Sequence, residues 1–437
     1  MIRDNLKIYS RIPNLIYVVV YMVLLYISYR FFIAPYYGYY NFIFVVPNDL
    51  NDATVSLILA FLPSIIFPVH ITRPSQLVYA LLYFLVYIPI GLMRFYNTNV
   101  DSELLITFQL SALFFFFGCL IIWSLPLVSI QPIKLSQSVF MYIYIGFVVF
   151  LLALLIGNAG WVLKDIRQIG VGVYETRFAY REVTANFEGI LRYATTWLAN
   201  LMIPLLFLWG WVLNRNVYLM GFSLLIQYFL FSLGNNKSYL GMIFVYIITF
   251  SIFSLAPKIS GRLISLGFAC LLVFSMLMDL ALNITPPPIN SLVIRRAIMM
   301  HGVLTGLYLD YFSQNDLYYL SHGVFSDFVK SSYSFEPANQ IGYIFFGNHE
   351  TSANANIWAD AYANFGFVGV VVFNIVLLLY LWILDNSAVN KNQPIIFALT
   401  STTYVLTDTA LLTSLLTHGL LVLLAIVILM PTERSSK

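Results

Sequence analysis

The chain has 437 residues, 60% hydrophobic and only 9% charged, with a mean hydropathy of +0.85. That excludes a soluble domain of this size and describes a polytopic membrane protein. The net charge of +3 carries little information beside its distribution, and the two cysteines, Cys119 and Cys270, read as small core residues that exclude a disulfide framework or a cysteine metal site.

The first apolar run begins at Leu15, after Arg3, Lys7 and Arg11. It is too long for a removable signal peptide and lacks a small-residue cleavage site, so it counts as a span. Apolar runs long enough to cross a bilayer predict twelve spans, at 14–32, 54–72, 76–95, 105–125, 138–158, 191–213, 217–234, 239–256, 263–283, 359–384, 394–410 and 413–431. Asp408 marks the turn between the last two. An even number places both termini on one side. The loops there carry Arg73, Lys134, Arg215, Lys258, Arg262 and Lys391, and the tail carries Arg434 and Lys437, which orients both termini inward.

The outer side breaks the usual charge bias. Half of the 22 Lys and Arg fall there, and Lys164, Arg167, Arg177, Arg181 and Arg192 share one segment. An anionic ligand at the outer face, phosphate above all, would explain basic residues in that place. Arg177 and Arg181 are four apart and would share a helix face, where two guanidiniums can grip a pyrophosphate. Arg192 lies at the mouth of the next span. A solvated loop whose charges pair with Asp165, Glu175, Glu182 and Glu188, or with anionic headgroups, is an equally available reading. Lys237, in the outer turn GNNKS, is either a snorkelling anchor or a further cation for the same ligand.

The second outer loop, 284–358, is too long to be mere connection and should carry its own structure. Ile284 to Pro288 break the chain. Residues 291–312 then alternate apolar and polar groups as an amphipathic helix resting on the outer membrane face, with Arg295, Arg296 and His301 among its polar members. The loop closes with GNHETSANANIWADAYANFGFVG, where amides, carboxylates and aromatics suit sugar hydroxyls and sugar faces. With Ser352 as N-cap, Asn356, Asp360 and Asn364 would form a polar stripe at the outer end of the tenth span, a costly feature that usually lines a site. An interfacial helix start with capping residues is the bland alternative. His301, His322 and His349 are the outer histidines, and His349 stands out because Glu350 and the amides surround it. Asp279 and Asp408 are acids at or near span ends, with a proton relay as the weaker reading of each.

There is no Walker loop, dinucleotide glycine motif, zinc helix motif or nucleophile elbow. No tight Asp-x-Asp pair offers a metal to a nucleotide-sugar donor. Chemistry without nucleotide, cofactor or dedicated metal is the expectation.

The arginine loop with Arg177 and Arg181, the GNNKS turn and the segment TSANANIWADAYANFGFVG resemble the bacterial O-antigen polymerases (Wzy type), the oligosaccharide repeat unit polymerases. The plan of about a dozen spans with two large outer loops extends the resemblance over the whole chain. Some members place an Arg, ten residues and a Gly in both loops; here Arg177 reaches Gly189 with eleven between. The resemblance implies an all-α fold like the C-type glycosyltransferases, with periplasmic loops 159–190 and 284–358 forming the active-site region of one integral domain in the bacterial inner membrane. It implies a donor glycan on undecaprenyl pyrophosphate, transfer to the non-reducing end of a new lipid-linked repeat unit, and a chain-length regulator of the Wzz type as partner. Membrane lipids are further partners; nucleic acid is not.

On that footing Arg177, Arg181, Arg192 and Lys237 stabilise the pyrophosphate, and His349 with Glu350 supplies a base or orients the acceptor. Asn354, Asn356 and Asp360 hold sugar hydroxyls, His301 joins the substrate-binding set, and Arg295 and Arg296 form a second anion site. The rival expectations are an O-antigen ligase, which shares the donor, and a polysaccharide flippase or other transporter. The transporter is disfavoured because charge sits in the outer loops and hardly at all in the spans.

Overall fold

A computed structural model describes residues 8–47, 49–96, 99–131, 133–164, 176, 179–180, 182–184, 187–212, 215–256, 258–322 and 328–432. Among them ten helices are long and apolar enough to cross a membrane: Asn14–Tyr40, Pro74–Gly91, Ser102–Ser124, Gln137–Ala159, Leu191–Val212, Val217–Gly234, Lys237–Leu255, Gly261–Leu282, Pro288–Phe312 and Ile357–Ser387. The chain is therefore a multi-pass, all-α membrane protein. Several helix starts follow from short polar residues whose side chains accept the first free N–H groups. Asp101 accepts from Glu103 N at 3.0 Å, Ser136 from Val139 N at 3.3 Å and Asn216 from Leu219 N at 3.1 Å.

The count and placement correct the twelve spans expected. The second run forms only a short apolar helix, Leu50–Ile66, before a strand at His70–Ile71. The eleventh changes from α-helix to 3-10 helix at Ser401, and the twelfth breaks between Leu416 and Leu420. A run of apolar residues fixes burial but not helix continuity, and Thr and Ser at 400–403 turn their hydroxyls onto carbonyls three or four residues back. Cys119 is buried as expected, but Cys270 is exposed on its helix.

The chain divides into two compact units. The first comprises Met1–Pro126, Lys258–Trp382 and Tyr404–Leu411. Here helix Asn14–Tyr40 lies along Gly261–Leu282: Ser265 Oγ donates to Asn14 Oδ1 at 2.6 Å, and Tyr21 meets Phe84 and Phe268 edge-on. His70 and Ile71 pair antiparallel with Ser260 and Ile259. Helix Pro74–Gly91 buries Tyr79, Tyr83 and Tyr87, whose hydroxyls donate to Pro63 O, Ala60 O and Gln109 O at 2.7, 3.1 and 3.1 Å. In an apolar interior such rings contribute area while each hydroxyl finds a carbonyl.

Helix Pro288–Phe312 is the largest departure. It does not rest on a surface: Ile294, Arg295, Ile298, Met299 and every residue from His301 to Leu309 are buried in the first unit. Its first turns, Ser291–Met299, are π-helical. Asp279 starts it. The carboxylate accepts from Ile289 N at 2.9 Å and from Asn290 N and Asn290 Nδ2, each at 2.6 Å. Asp279 is thus a helix cap supplied from a neighbouring helix, not a proton relay. Asp279→Ala would leave the buried Asn290 N–H and the part-buried Ile289 N–H without their acceptor, at about 1–3 kcal/mol each, while the Asn290 amide keeps its bond to Ser275 O. The expected result is a clear fall in thermal unfolding temperature in detergent; an unchanged temperature would remove this account.

The second unit comprises Leu127–Pro257, Ile383–Thr403 and Leu412–Lys437. Trp209 is buried with its ring edge-on to Phe140 and Tyr144, and Phe253 stacks on Phe397. Helix Leu191–Val212 contains a π-helical turn at Leu198–Met202, and Gln227 Nε2 donates to Ala199 O at 2.8 Å and to Tyr239 O at 2.5 Å. Lys391, expected among the inner-loop charges, is 2% exposed. It donates to Val427 O and Ile428 O at the end of helix Leu420–Leu429, where a cation is favoured, and burial pulls its pKa down to about 8.

Candidate functional site

In the first unit the segment TSANANIWADAYANFGFVG folds back on itself. Helical geometry fails at Phe365 (φ −143°, ψ 19°) and at Gly366 (φ 60°, ψ −146°), a left-handed value that favours glycine. The chain reverses there. Trp358 Nε1 donates to Asn374 Oδ1 at 2.7 Å, although residues so far apart on a straight helix would be separated by about 24 Å. A Cβ on Gly369 would fall 2.2 Å from Ala361 O, so only glycine lets the two arms meet this closely. The polar stripe therefore belongs to a short helical arm lying against the long one, not to the outer end of a continuous span.

The N-cap of that arm is Asn356, not Ser352. Asn356 Oδ1 accepts from Trp358 N at 3.0 Å and Ala359 N at 3.2 Å. Its Nδ2 donates to Thr305 Oγ1 at 2.7 Å and His301 O at 3.3 Å. Asn364 is spent in the same way: Nδ2 donates to Asp360 O, and Oδ1 accepts from Leu320 N, both at 2.9 Å. Both amides are buried and hold the arm in place; Asn356 makes all four of its bonds there and has none left for a sugar, while Asn364 makes two. Asp360 differs. It is 7% exposed, and among the described residues its carboxylate has no hydrogen-bond donor. Asn354 is exposed and accepts from Ser352 Oγ at 2.8 Å. His301 is buried, its Nε2 3.1 Å from Ala297 O.

Arg295 makes the second feature. It is 7% exposed, and its guanidinium lies over the ring of Tyr37 at 4.4 Å, Tyr40 at 5.7 Å and Phe42 at 5.9 Å. Nε donates to Ser291 Oγ at 3.1 Å. The rings supply cation–π attraction but no counter-charge. Arg296, beside it, is exposed. The π-helical turn widens the backbone here, a distortion often found where helices carry function.

Residues 318–322 and 328–335 of the first unit add an aromatic cluster. Tyr318 and Tyr333 stack at 4.5 Å, Tyr318 Oη donates to Phe335 O at 2.8 Å, and Tyr333 Oη donates to Asp316 O at 2.6 Å. His322 packs edge-on against Tyr318, and burial lowers its pKa below the ordinary imidazole value. His349 and Glu350 stand exposed in a turn after helix Pro337–Phe346. The His349 ring stacks on Phe335 at 5.5 Å, and Asn348 Oδ1 accepts from Glu350 N at 2.8 Å. No side-chain bond joins His349 to Glu350 among the described residues.

This turn depends on Gly342, where an added Cβ would fall 1.9 Å from Thr351 O. Gly342→Ala must therefore push the 347–351 turn away from its helix. Faster amide exchange across 347–353, with the membrane helices unchanged, is the expected result; unaltered exchange would contradict it.

In the second unit two cations occupy helix starts. Arg192 is in the first turn of helix Leu191–Val212, exposed, with Nε 3.4 Å from Phe187 O. Lys237 is the first residue of helix Lys237–Leu255, also exposed, after its cap Asn236. Cations at helix N-termini oppose the helix dipole, whereas anions are favoured there. Tyr180 links the arginine loop to this region. Its hydroxyl lies 2.5 Å from Thr195 Oγ1, and its ring would be 3.1 Å from a Cβ on Gly234, three residues before Lys237. Burial, partly offset by the Thr195 bond, pushes Tyr180 up to about 12. Arg177 and Arg181 lie outside the described residues, as do Asp165, Arg167 and Glu175.

Among the described residues the one ion pair is Arg94–Asp52 at 3.5 Å, so Arg192, Lys237, Arg295 and Arg296 have no carboxylate partner there. No group of three or more His, Cys, Asp or Glu able to hold a metal forms among them either. The sequence reasoning missed Tyr37, Tyr40 and Phe42; the signal available was the density of rings in APYYGYYNFIF. Compared with known proteins, the chain matches no family model, no curated protein and no solved structure.

Proposed function

We propose that the chain is a metal-independent membrane glycosyltransferase of the O-antigen polymerase type, joining oligosaccharide repeat units carried on undecaprenyl pyrophosphate at the outer face of the bacterial inner membrane. The observation that carries this reading is Arg295, a buried guanidinium that meets three aromatic rings and no carboxylate among the described residues. A cation kept dry and unpaired is costly, and a ligand anion that completes it offsets the cost. The reaction brings together two glycans, each on its own lipid pyrophosphate, forms a glycosidic bond to the acceptor sugar and releases the donor's pyrophosphate, so it needs two anion sites. Arg295 with Arg296 suits one. Arg192 and Lys237, with Arg177 and Arg181 of the adjoining loop, suit the other, where the leaving pyrophosphate develops charge.

Asp360 is the acceptor-side group in this reading. Its carboxylate is buried and has no donor among the described residues, so a sugar hydroxyl can supply one and be oriented for attack. Asn356 and Asn364 support the arm that carries it, and the exposed His349 and Glu350 are the second candidate pair for orienting the acceptor. Asp360→Asn is expected to lower polymer yield roughly 10²-fold at unchanged protein level.

The deciding experiment is the lipopolysaccharide banding pattern of a deletion strain. Core bearing a single repeat unit supports the polymerase. Core bearing none would sink it in favour of the ligase or a transporter, and an unchanged ladder would sink the whole class. A chain-length regulator of the Wzz type is the partner this function calls for.

A further inference from the structure

The first unit has an apolar groove of about 560 Å³ lined by Val19, Met22, Val23 and Tyr26 of helix Asn14–Tyr40, by Thr54, Leu57, Ile58 and Phe61 of helix Leu50–Ile66, and by Leu92 and Phe95. Thr54 spends its hydroxyl on Leu50 O at 2.7 Å, and the other hydroxyl of the wall, Tyr26 Oη, sits at the Arg30 end. Val19, Val23 and Ile58 are exposed along it, as side chains that meet hydrocarbon would be. The groove follows the helix for roughly 10 Å. Tyr26 closes one end, packed edge-on against Phe44 and Phe95.

One turn beyond Tyr26 stands Arg30, an exposed cation inside an otherwise apolar span. Its Nη1 donates to Tyr26 Oη at 3.3 Å, and its guanidinium lies over Phe31 at 5.2 Å and Phe44 at 5.0 Å. No carboxylate meets it among the described residues. An arginine on a membrane helix is costly unless its charge is answered, and here only rings and a phenol answer it. An apolar slot ending at a lone unpaired cation has the polarity of a single-charge amphiphile. A pyrophosphate would call for at least a second cation at that end, whereas one guanidinium matches one phosphodiester.

We propose that this groove holds an acyl chain of an anionic glycerophospholipid whose phosphodiester sits on Arg30. This lipid is a resident of the protein rather than a substrate, so the site stands apart from the glycan chemistry and its test does not depend on polymer formation.

The test uses the full chain in phosphatidylcholine vesicles containing a small fraction of phosphatidylglycerol with a diazirine on one acyl chain. After illumination, labelled residues are mapped by peptide mass spectrometry. Label should concentrate within residues 19–26 and 54–61. Arg30→Ala should reduce it about fivefold, the worth of one basic side chain at an anionic headgroup, and Arg30→Lys should restore most of it. Leu57→Trp should remove label while Arg30 remains; if that variant unfolds on heating earlier than the parent, the Arg30 pair alone decides. Equal labelling by the same diazirine on phosphatidylcholine, or label unmoved in Arg30→Ala, overturns the proposal. Displacement of the probe by equimolar undecaprenyl pyrophosphate also overturns it, by making the groove a substrate site.

Discussion

Arg295→Ala should abolish long polysaccharide, with a loss of roughly 10²- to 10³-fold in chain extension, the range for removing one preorganised charge-stabilising donor. The reason lies in how the guanidinium is held. Tyr37, Tyr40 and Phe42 fix its plane and Ser291 fixes Nε, leaving the terminal nitrogens to a ligand. Arg295→Lys should not rescue, because an ammonium keeps the charge but cannot present a planar fork from among stacked rings. Arg295→Met fills much of the volume without charge and separates packing from electrostatics. The readout is the lipopolysaccharide ladder of a complemented deletion strain, normalised to protein in the membrane. A full ladder from Arg295→Ala would end the anion-site reading of this residue.

Gly302→Ala should be strongly destabilising. Its Cβ would fall 2.2 Å from Tyr96 Oη and 3.0 Å from the backbone of Pro89. Neither can retreat cheaply. The Tyr96 hydroxyl donates to Pro89 O at 2.6 Å, Tyr96 is buried, and Pro89 is buried inside its own helix. The two helices must separate or the bond must break, at about 3 kcal/mol, the upper end of overpacking costs. Gly146→Ala is the control: nothing lies within 4 Å of its added Cβ, so better helix propensity should leave it neutral or stabilise by up to about 1 kcal/mol. Thermal unfolding in detergent compares the two. Equal midpoints would show that helix Pro288–Phe312 does not pack against residues 89–96.

That helix also marks where sequence reasoning stopped. Long apolar runs such as 137–159 announce themselves, because nothing but a helix satisfies so many backbone groups in hydrocarbon. Residues 288–312 carry Arg295, Arg296 and His301, and by pattern they belong to an interface. Burial became affordable only through partners far away in the chain: Asp279 at the helix start and rings at 37–42 over Arg295. No local pattern encodes such partners. The stripe at Asn356, Asp360 and Asn364 was legible as polar residues on one helical face, but their separate jobs were not. Asn356 and Asn364 are set by Thr305 and Leu320, which the spacing does not mention. The basic residues at 192 and 237 were legible as charges; their common place at helix starts required the helix boundaries.

The reversal at Phe365 and Gly366 bears on what places Asp360. The arm Ile357–Asn364 is too short to enter a bilayer as a span of its own. The arm and its cap Asn356 are tied to distant segments: Asn356 to Thr305, Asn364 to Leu320, and Trp358 to Asn374, which in turn donates to Ser111 O at 3.0 Å. Helices Ser102–Ser124 and Pro288–Phe312 thus supply the berth for this hairpin. The Asp360 carboxylate is buried as a passenger of that helix pair, so its position is set by residues 111, 305 and 320 and not by its neighbours in sequence.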